Sequence, residues 1–228
     1  MSPAAIVPLF HGKLRLALHT LRAGGEGHAL LLLHGLGERS PTRLPAHFAS
    51  WPGPVHALDF TGHGASDLPI GGGYTAEILM GDVDAALAKI GPATICGRGL
   101  GAYVALLIAG GRPAQVLGAI LCDGPGLAGG GPQPGSPRVI HPDPNAFGTP
   151  DAFALAELSS DLRPADYAMS YVRQINRLGR IERPIAVCAI HRPDWLAAVS
   201  ADADTETTSL EDALAGFATP RWRATDAA

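Results

Sequence analysis

Charge, aromatic residues and cysteine are all scarce in this sequence. Charged residues make up 17% and aromatic residues 6% of the 228 positions, and the net charge is −4. Because there is no basic excess, we expect no binding to nucleic acid or to an anionic membrane surface. Cys96, Cys122 and Cys188 form an odd set without paired spacing, which argues against a disulfide framework and a zinc site. We expect them to be core residues, and we expect no metal and no cofactor.

Long apolar runs are also absent, and we expect no leader. No run approaches the length of a membrane-spanning helix, and the first ten residues lack the pattern of a signal peptide. We therefore expect a cytoplasmic, soluble protein. Glycine and proline are abundant, with 29 and 20 residues, which predicts many tight turns. The length suits a single domain over residues 1–228.

Short apolar runs alternate with helical segments, which is typical of an α/β protein with a mostly parallel sheet and helices on both faces. The predicted strands are 14–21, 29–33, 55–59, 93–96, 116–122 and 185–190. The first is expected to be antiparallel and at the sheet edge. The predicted helices are 75–90, 103–109 and 209–217, with two more in 151–178 that divide at Arg163-Pro164.

One segment interrupts this alternation. Residues 124–150 are dense in glycine and proline and are not expected to form regular structure. Together with the two helices that follow, they predict a small cap insertion at about 124–182, between two core strands. A plain surface loop is the alternative for the part that is rich in glycine and proline.

Three glycine-containing turns follow predicted strands at the point where each strand ends. They are His34-Gly-Leu-Gly37, Asp59-Phe-Thr-Gly-His-Gly-Ala-Ser-Asp67 and Gly97-Arg-Gly-Leu-Gly101. In this order they resemble the H-G-x-G, D-x-x-G-x-G-x-S and G-x-S-x-G turns of the α/β-hydrolase superfamily. The resemblance covers about residues 10–195 and implies an α/β-hydrolase fold.

The third turn carries the nucleophile in that family, and its middle residue here is Gly99. Because glycine has no side chain, it cannot form an acyl-enzyme. The resemblance also places the family's oxyanion-binding N–H groups at Leu36 and Leu100. It therefore implies a hydrolase-like pseudoenzyme in which ordinary serine-hydrolase activity is not expected.

The resemblance places the remaining triad members late in the chain. Asp194 matches the position of the acid, but no histidine follows His191, so the position of the family's histidine is empty. His191 is either a relocated base, paired with Asp194 or Asp123, or a histidine held by local hydrogen bonds. Asp123 ends the strand before it and either faces the pocket or forms a turn with Gly124-Pro125.

Two classes of function follow from these features. In the first, the protein binds a small molecule or a partner protein without hydrolysis. This resembles the non-enzymatic NDRG family, which has a small residue in the middle of the same glycine turn. In that family the sequence around the turn is similar to Gly101-Ala102-Tyr103. In the second, it is an enzyme without a serine nucleophile, either lyase-like or water-activating. A third alternative is dinucleotide binding, because the stretch from Gly97 to Ala102 also fits G-x-G-x-x-A.

The glycine turn at 97–101 also predicts a ligand site. Without a side chain at Gly99, the N–H groups of Leu36 and Leu100 are expected to bind an anion or a carbonyl oxygen, with Arg98 and His34 nearby. The competing expectation is that a cap residue, Phe147 or Phe153, fills the space and leaves no site.

Overall fold

The computed structural model describes residues 5–129 and 148–223. They form an eight-stranded sheet in the order β1-β2-β4-β3-β5-β6-β7-β8. The strands are β1 (Ala5–His11), β2 (Leu14–Arg22), β3 (Ala29–Leu33), β4 (Val55–Asp59), β5 (Ala93–Arg98), β6 (Val116–Cys122), β7 (Ile185–Val187) and β8 (Thr205–Thr207). β2 pairs antiparallel with both β1 and β4, and every other pair is parallel. The predicted α/β class is confirmed.

Helices cover both faces of the sheet. They are α1 (Ala76–Ile90), α2 (Leu100–Gly111), α3 (Ala152–Ser160), α4 (Ala165–Leu178), α5 (Asp194–Ser200) and α6 (Leu210–Ala218). Thr75 and Ser209 cap α1 and α6, since each side chain accepts a hydrogen bond from a backbone N–H in the first turn. α2 is buried on nearly every side because it lies between the sheet, α1 and α4. None of the helices in the described residues is both long and apolar enough to span a membrane.

The predicted strands 29–33, 55–59 and 116–122 have the bounds that the structure shows. One expectation was wrong: the strand predicted at 14–21 is antiparallel, but it is not at the edge, because β1 pairs with its outer side. β7 ends at Val187, short of the predicted residue 190. β8 and α5 were not predicted, since three and seven residues are too few for a clear periodic pattern.

The two helices predicted within 151–178 are α3 and α4, and the break falls at Arg163-Pro164 as expected. α4 packs on α2 and α5, so it extends the main core. α3 lies near the first glycine turn, where Leu155 approaches Gly37. Part of the expected cap, residues 130–147, is outside the described residues, so the proposed cap boundaries stay a prediction.

One crossover in the sheet lacks a long helix. β3 and β4 are parallel neighbours, and the chain between them contains only a three-residue 3₁₀ helix, Ala46–Phe48. Crossovers between parallel strands are usually α-helical and cover the sheet face. Here α6 and the 3₁₀ helix share that face, where they pack with a cluster that includes Leu32, Cys96 and Phe217.

Candidate functional site

The turn between β5 and α2 has the geometry of a nucleophile elbow with glycine at its apex. Gly99 has φ 59° and ψ −122°, a conformation that residues with a side chain rarely adopt. A Cβ on Gly97 would lie 2.1 Å from the carbonyl oxygen of Gly101, so the flanking glycines are needed for the strand and the helix to approach. The backbone of this turn is therefore strained, and its apex has no side chain.

A backbone carbonyl bonds the two N–H groups that were expected to bind a ligand oxygen. The oxygen of Pro125 accepts hydrogen bonds from Leu36 N–H at 3.0 Å and from Leu100 N–H at 2.9 Å. These are the two donors that the α/β-hydrolase resemblance assigns to the oxyanion hole. The protein thus satisfies both donors internally.

The same segment fills the space that a nucleophile would need. A Cβ on Gly99 would lie 2.0 Å from the oxygen of Pro125 and 2.6 Å from the carbonyl carbon of Gly124. Both distances are well below a van der Waals contact, and both neighbours are backbone atoms. A serine at this position would require the Gly124-Pro125 segment to move.

Two side chains from outside the elbow hold this segment in place. The buried guanidinium of Arg163 donates to the carbonyls of Gly126 and Leu127, the second at 2.7 Å. Trp195 Nε1 donates to the oxygen of Leu127 at 2.9 Å. Burial lowers the pKa of Arg163 to about 10, so the group remains charged at neutral pH. Arg163 also lies over the ring of Tyr103, 4.8 Å from its centroid.

The two histidines of the first two turns hold backbone groups. His34 Nε2 accepts from the N–H of Phe60 at 3.1 Å, and its Nδ1 donates to the oxygen of Gly35 at 2.8 Å. His63 Nε2 accepts from the N–H of Gly37 at 3.3 Å, and its Nδ1 donates to the oxygen of Thr61 at 3.1 Å. Burial lowers the pKa of both rings, that of His63 to about 3.

These contacts have a simple chemical consequence for both histidines. Each ring is neutral, and both of its nitrogens are already bonded to the backbone. Neither ring is free to act as a base.

Two of the three late catalytic candidates lie together. His191 Nδ1 is 3.5 Å from Asp123 Oδ1, and the carboxylate of Asp123 accepts the backbone N–H groups of Ile190 and His191. The pair lies at the carboxyl ends of β6 and β7, and the His191 side chain is 60% exposed. Asp194 begins α5, and no described side chain pairs with it. The arrangement is an exposed His-Asp pair, and the free thiol of Cys122 immediately precedes Asp123 in the chain.

A cavity of about 830 Å³ opens beside the elbow, on the sheet face that α6 covers. Its floor includes Leu32, Phe48 and Cys96, and Leu210 forms one wall. Its lining also contains His34 and Arg98, two of the five residues assigned to ligand binding from the sequence, but not Leu36, Gly99 or Leu100. Arg98 forms an ion pair with Glu38 at the rim.

The three cysteines meet at one end of this cavity. The thiol of Cys122 contacts those of Cys188 and Cys96, and Cys96 and Cys122 line the cavity. The contact with Cys188 lowers the pKa of Cys122, but the contact with Cys96 and burial raise it, and the net pKa is raised. All three are free thiols. In the described ranges, no group of histidine, cysteine and carboxylate side chains is arranged to hold a metal.

Comparison with solved structures settles the fold. A hypothetical protein from Pseudomonas aeruginosa superimposes with a TM-score of 0.62 at 17% identity, over 93% of this chain and 96% of that one. The thioesterase domain from the curacin biosynthetic pathway gives 0.59 at 17% identity, over 94% and 97% of the two chains. A bacterial membrane phospholipase A gives 0.55 at 20% identity, over 90% and 77%. The chain has the α/β-hydrolase fold. No protein-family model and no curated protein sequence matches it.

Within the α/β-hydrolase fold, the contacts at the elbow bear on the predicted ligand site. Because Pro125 already bonds the N–H groups of Leu36 and Leu100, an external anion would reach them only by displacing that carbonyl. Anion binding at Gly99 therefore stays a prediction that requires movement of this segment. Phe153 does not fill the space, since its side chain is exposed, and Phe147 is outside the described residues.

The alternative of a dinucleotide site depends on the same donors. A pyrophosphate would bind at the start of α2, where the N–H of Leu100 bonds Pro125 and those of Ala102 and Tyr103 bond the oxygen of Gly99. Dinucleotide binding also stays a prediction.

Sequence reasoning missed Pro125. A backbone carbonyl has no signature of its own, and residues 124–126, Gly-Pro-Gly, were interpreted only as part of a loop. The usable signal was the glycine at 99 together with Gly124 and Gly126. A Cβ on Gly124 would meet the nitrogen of Gly99 at 2.7 Å, and one on Gly126 would meet Leu36 Cβ at 2.6 Å. Glycines at such positions indicate that two backbone segments approach closely.

Proposed function

We propose that this protein is a non-hydrolytic member of the α/β-hydrolase fold that binds a small molecule carrying an anionic or carbonyl group. The observation that carries the proposal is the carbonyl of Pro125, which bonds the N–H groups of Leu36 and Leu100. Acyl transfer needs these donors free for the negative charge that develops in the transition state. A protein that satisfies them with its own backbone has no such stabilisation to offer.

The missing side chains support the same conclusion. Gly99 provides no nucleophile, and no histidine follows His191 in the sequence. The two histidines nearest the elbow, His34 and His63, are neutral and bonded to the backbone on both sides of the ring. At the elbow, the nucleophile side chain is thus absent, and the oxyanion donors and both nearby histidines are occupied, although the hydrolase turn geometry is kept.

The binding half of the proposal is supported by the cavity beside the elbow. Its volume of about 830 Å³ falls within the range of small-molecule pockets. It combines an apolar floor with a few charged groups at the rim, which is the usual composition of a ligand site.

Covalent labelling tests the non-hydrolytic half. The intact protein is incubated with a fluorophosphonate probe, and its mass is measured before and after denaturation. We expect no adduct, and no hydrolysis of a nitrophenyl ester above the rate of the heat-denatured protein. A stoichiometric adduct on any serine would overturn the proposal.

The pair formed by His191 and Asp123 favours a second candidate, an enzyme that activates water without a covalent intermediate. The 3.5 Å separation brings an imidazole and a carboxylate together at the carboxyl edge of the sheet, where active sites of open α/β sheets lie. This candidate predicts ester hydrolysis that is resistant to the fluorophosphonate and is lost in His191→Asn. Hydrolysis that is unchanged in this variant would exclude the pair.

A further inference from the structure

We infer that the cavity beside the elbow binds an apolar carboxylate, with its tail on the sheet and its carboxylate at Arg39 and Ser40. This rests on the proposed function only in assuming that the ligand is bound and not hydrolysed. The site lies on the α6 face and contains neither Gly99 nor Pro125. It is therefore separate from the position at which a hydrolase of this fold would attack its substrate.

The floor of the cavity favours an apolar tail. Leu32 and Cys96 project from adjacent strands β3 and β5 and are 7% and 6% exposed, and Phe48 is also buried. Leu210, at the start of α6, closes the side. The groove exists because the crossover from β3 to β4 contains only a short 3₁₀ helix where a longer helix would cover the sheet. An alkyl chain would gain hydrophobic free energy by covering this surface.

The rim favours a single negative charge. Its charged groups are Arg39, Arg98 and Glu38, and Arg98 is already paired with Glu38. Glu38 is further held by the backbone N–H of Gly35 at 2.9 Å. Arg39 is exposed, and none of the described carboxylates pairs with it. One guanidinium is thus left at the mouth, with the planar donor geometry that matches a carboxylate.

Ser40 provides a second and independent indication of a ligand. This residue lines the cavity and is only 4% exposed, and its hydroxyl has no hydrogen-bond partner in the described residues. Its backbone N–H is fixed by Asp59 Oδ1 at 2.6 Å, which sets the position of the residue beside Arg39. A buried hydroxyl without a partner is costly and is uncommon in folded proteins. Rotation of the Ser40 side chain toward the cavity would let a carboxylate oxygen held by Arg39 accept from this hydroxyl.

Isothermal titration with three matched probes tests this assignment on the full chain. The probes are decanoate, below its micelle concentration, decanol, which keeps the tail without the charge, and acetate, which keeps the charge without the tail. We expect decanoate to bind about tenfold more tightly than decanol, because a hydrogen-bonded charge contributes on that order. We expect no measurable binding of acetate.

Substitutions in and near the cavity test whether decanoate binds there. Arg39→Gln is expected to weaken decanoate binding about tenfold while leaving decanol unchanged. Arg43→Gln is the matched control, because Arg43 is an exposed arginine of the same loop that does not line the cavity. Leu210→Trp fills the cavity from its wall and should remove binding of both long-chain probes.

Several results would overturn the inference. These are no binding of decanoate, equal affinity for decanoate and decanol, or equal effects of Arg39→Gln and Arg43→Gln. The test of the proposed function is independent of these binding measurements, because it measures covalent labelling and hydrolysis. A protein that fails to bind decanoate and also resists the fluorophosphonate would contradict only this inference.

Discussion

The carbonyl oxygen of Pro125 lies 2.9 Å from the backbone nitrogen of Leu100. In a serine hydrolase of this fold the corresponding N–H faces the substrate. Here it forms part of the protein's own hydrogen-bond network, together with Leu36 N–H. The contact explains why glycine stands at position 99, since any side chain there would collide with the carbonyl. The glycine at position 99 and the hydrogen bonds from Leu36 and Leu100 to Pro125 are thus one structural feature.

The first prediction concerns stability. Gly99→Ala is expected to lower the free energy of unfolding by about 2–4 kcal/mol, because it adds a clash with Pro125 to the strain of a positive φ. Gly216→Ala is the control, since Gly216 lies in α6 with open space around it and should be neutral or slightly stabilising. Urea denaturation measures the free energy of unfolding of both variants. Equal changes would show that the segment carrying Pro125 moves aside at little cost.

The second prediction concerns attempted repair of the site. Gly99→Ser is expected to show no burst of nitrophenol from a nitrophenyl ester. A serine needs a base, and no histidine follows His191 in the chain. Stopped-flow absorbance at substrate excess is the measurement. A burst with an amplitude equal to the enzyme concentration would reveal a hidden base and would count against the non-hydrolytic proposal.

The third prediction concerns the residue that anchors the carbonyl. Arg163→Gln is expected to lower the free energy of unfolding by about 2–4 kcal/mol, because the carbonyls of Gly126 and Leu127 lose a buried charged donor. Arg112→Gln is the matched control, since Arg112 pairs with Asp84 at the surface. This substitution should lower the free energy of unfolding by about 1 kcal/mol or less. Thermal and urea unfolding of both variants provide the comparison. Similar losses would show that Arg163 does not hold the segment.

The fourth prediction concerns acid stability. Burial lowers the pKa of His63 to about 3, whereas an unfolded histidine titrates near 6.5. Between these values the unfolded state binds the additional proton, so the free energy of unfolding falls as the pH falls. His63 contributes a slope of up to about 1.4 kcal/mol per pH unit in this window.

Unfolding curves from pH 7 to pH 4 test this assignment. His63→Asn should show a shallower pH slope than the wild type, whatever its stability at pH 7. His47→Asn is the control for the replacement of an exposed histidine. An unchanged slope in His63→Asn would mean that other groups account for the acid sensitivity.

The sequence predicted the fold well because the fold depends on local patterns. β3 and β6 are continuous apolar runs that end at glycine-containing or turn-forming residues, and their bounds were predicted to the residue. The turn at Gly97–Gly101 was recognised because tight strand-to-helix turns need glycine at fixed spacing. β8 escaped prediction because three polar, largely exposed residues have no periodicity.

The site was harder to predict because its main contact joins distant segments through backbone atoms. The sequence pointed to free donors at Leu36 and Leu100, but it could not indicate that the carbonyl of Pro125 would reach them. The pairing of Asp123 with His191 was anticipated as an alternative, since both residues follow neighbouring strands. The cavity was not anticipated, because it results from the short crossover between β3 and β4.

Amide hydrogen exchange at Leu36 and Leu100, followed by NMR with and without acetate or phosphate, tests the central claim most directly. Amides of buried residues that already donate to a backbone carbonyl exchange slowly and do not respond to added anions. We therefore expect strong protection at both amides and no saturable chemical-shift change up to high anion concentration. Rapid exchange at both positions, or a saturable shift that reports anion binding, would contradict the account by showing that the oxyanion hole is open.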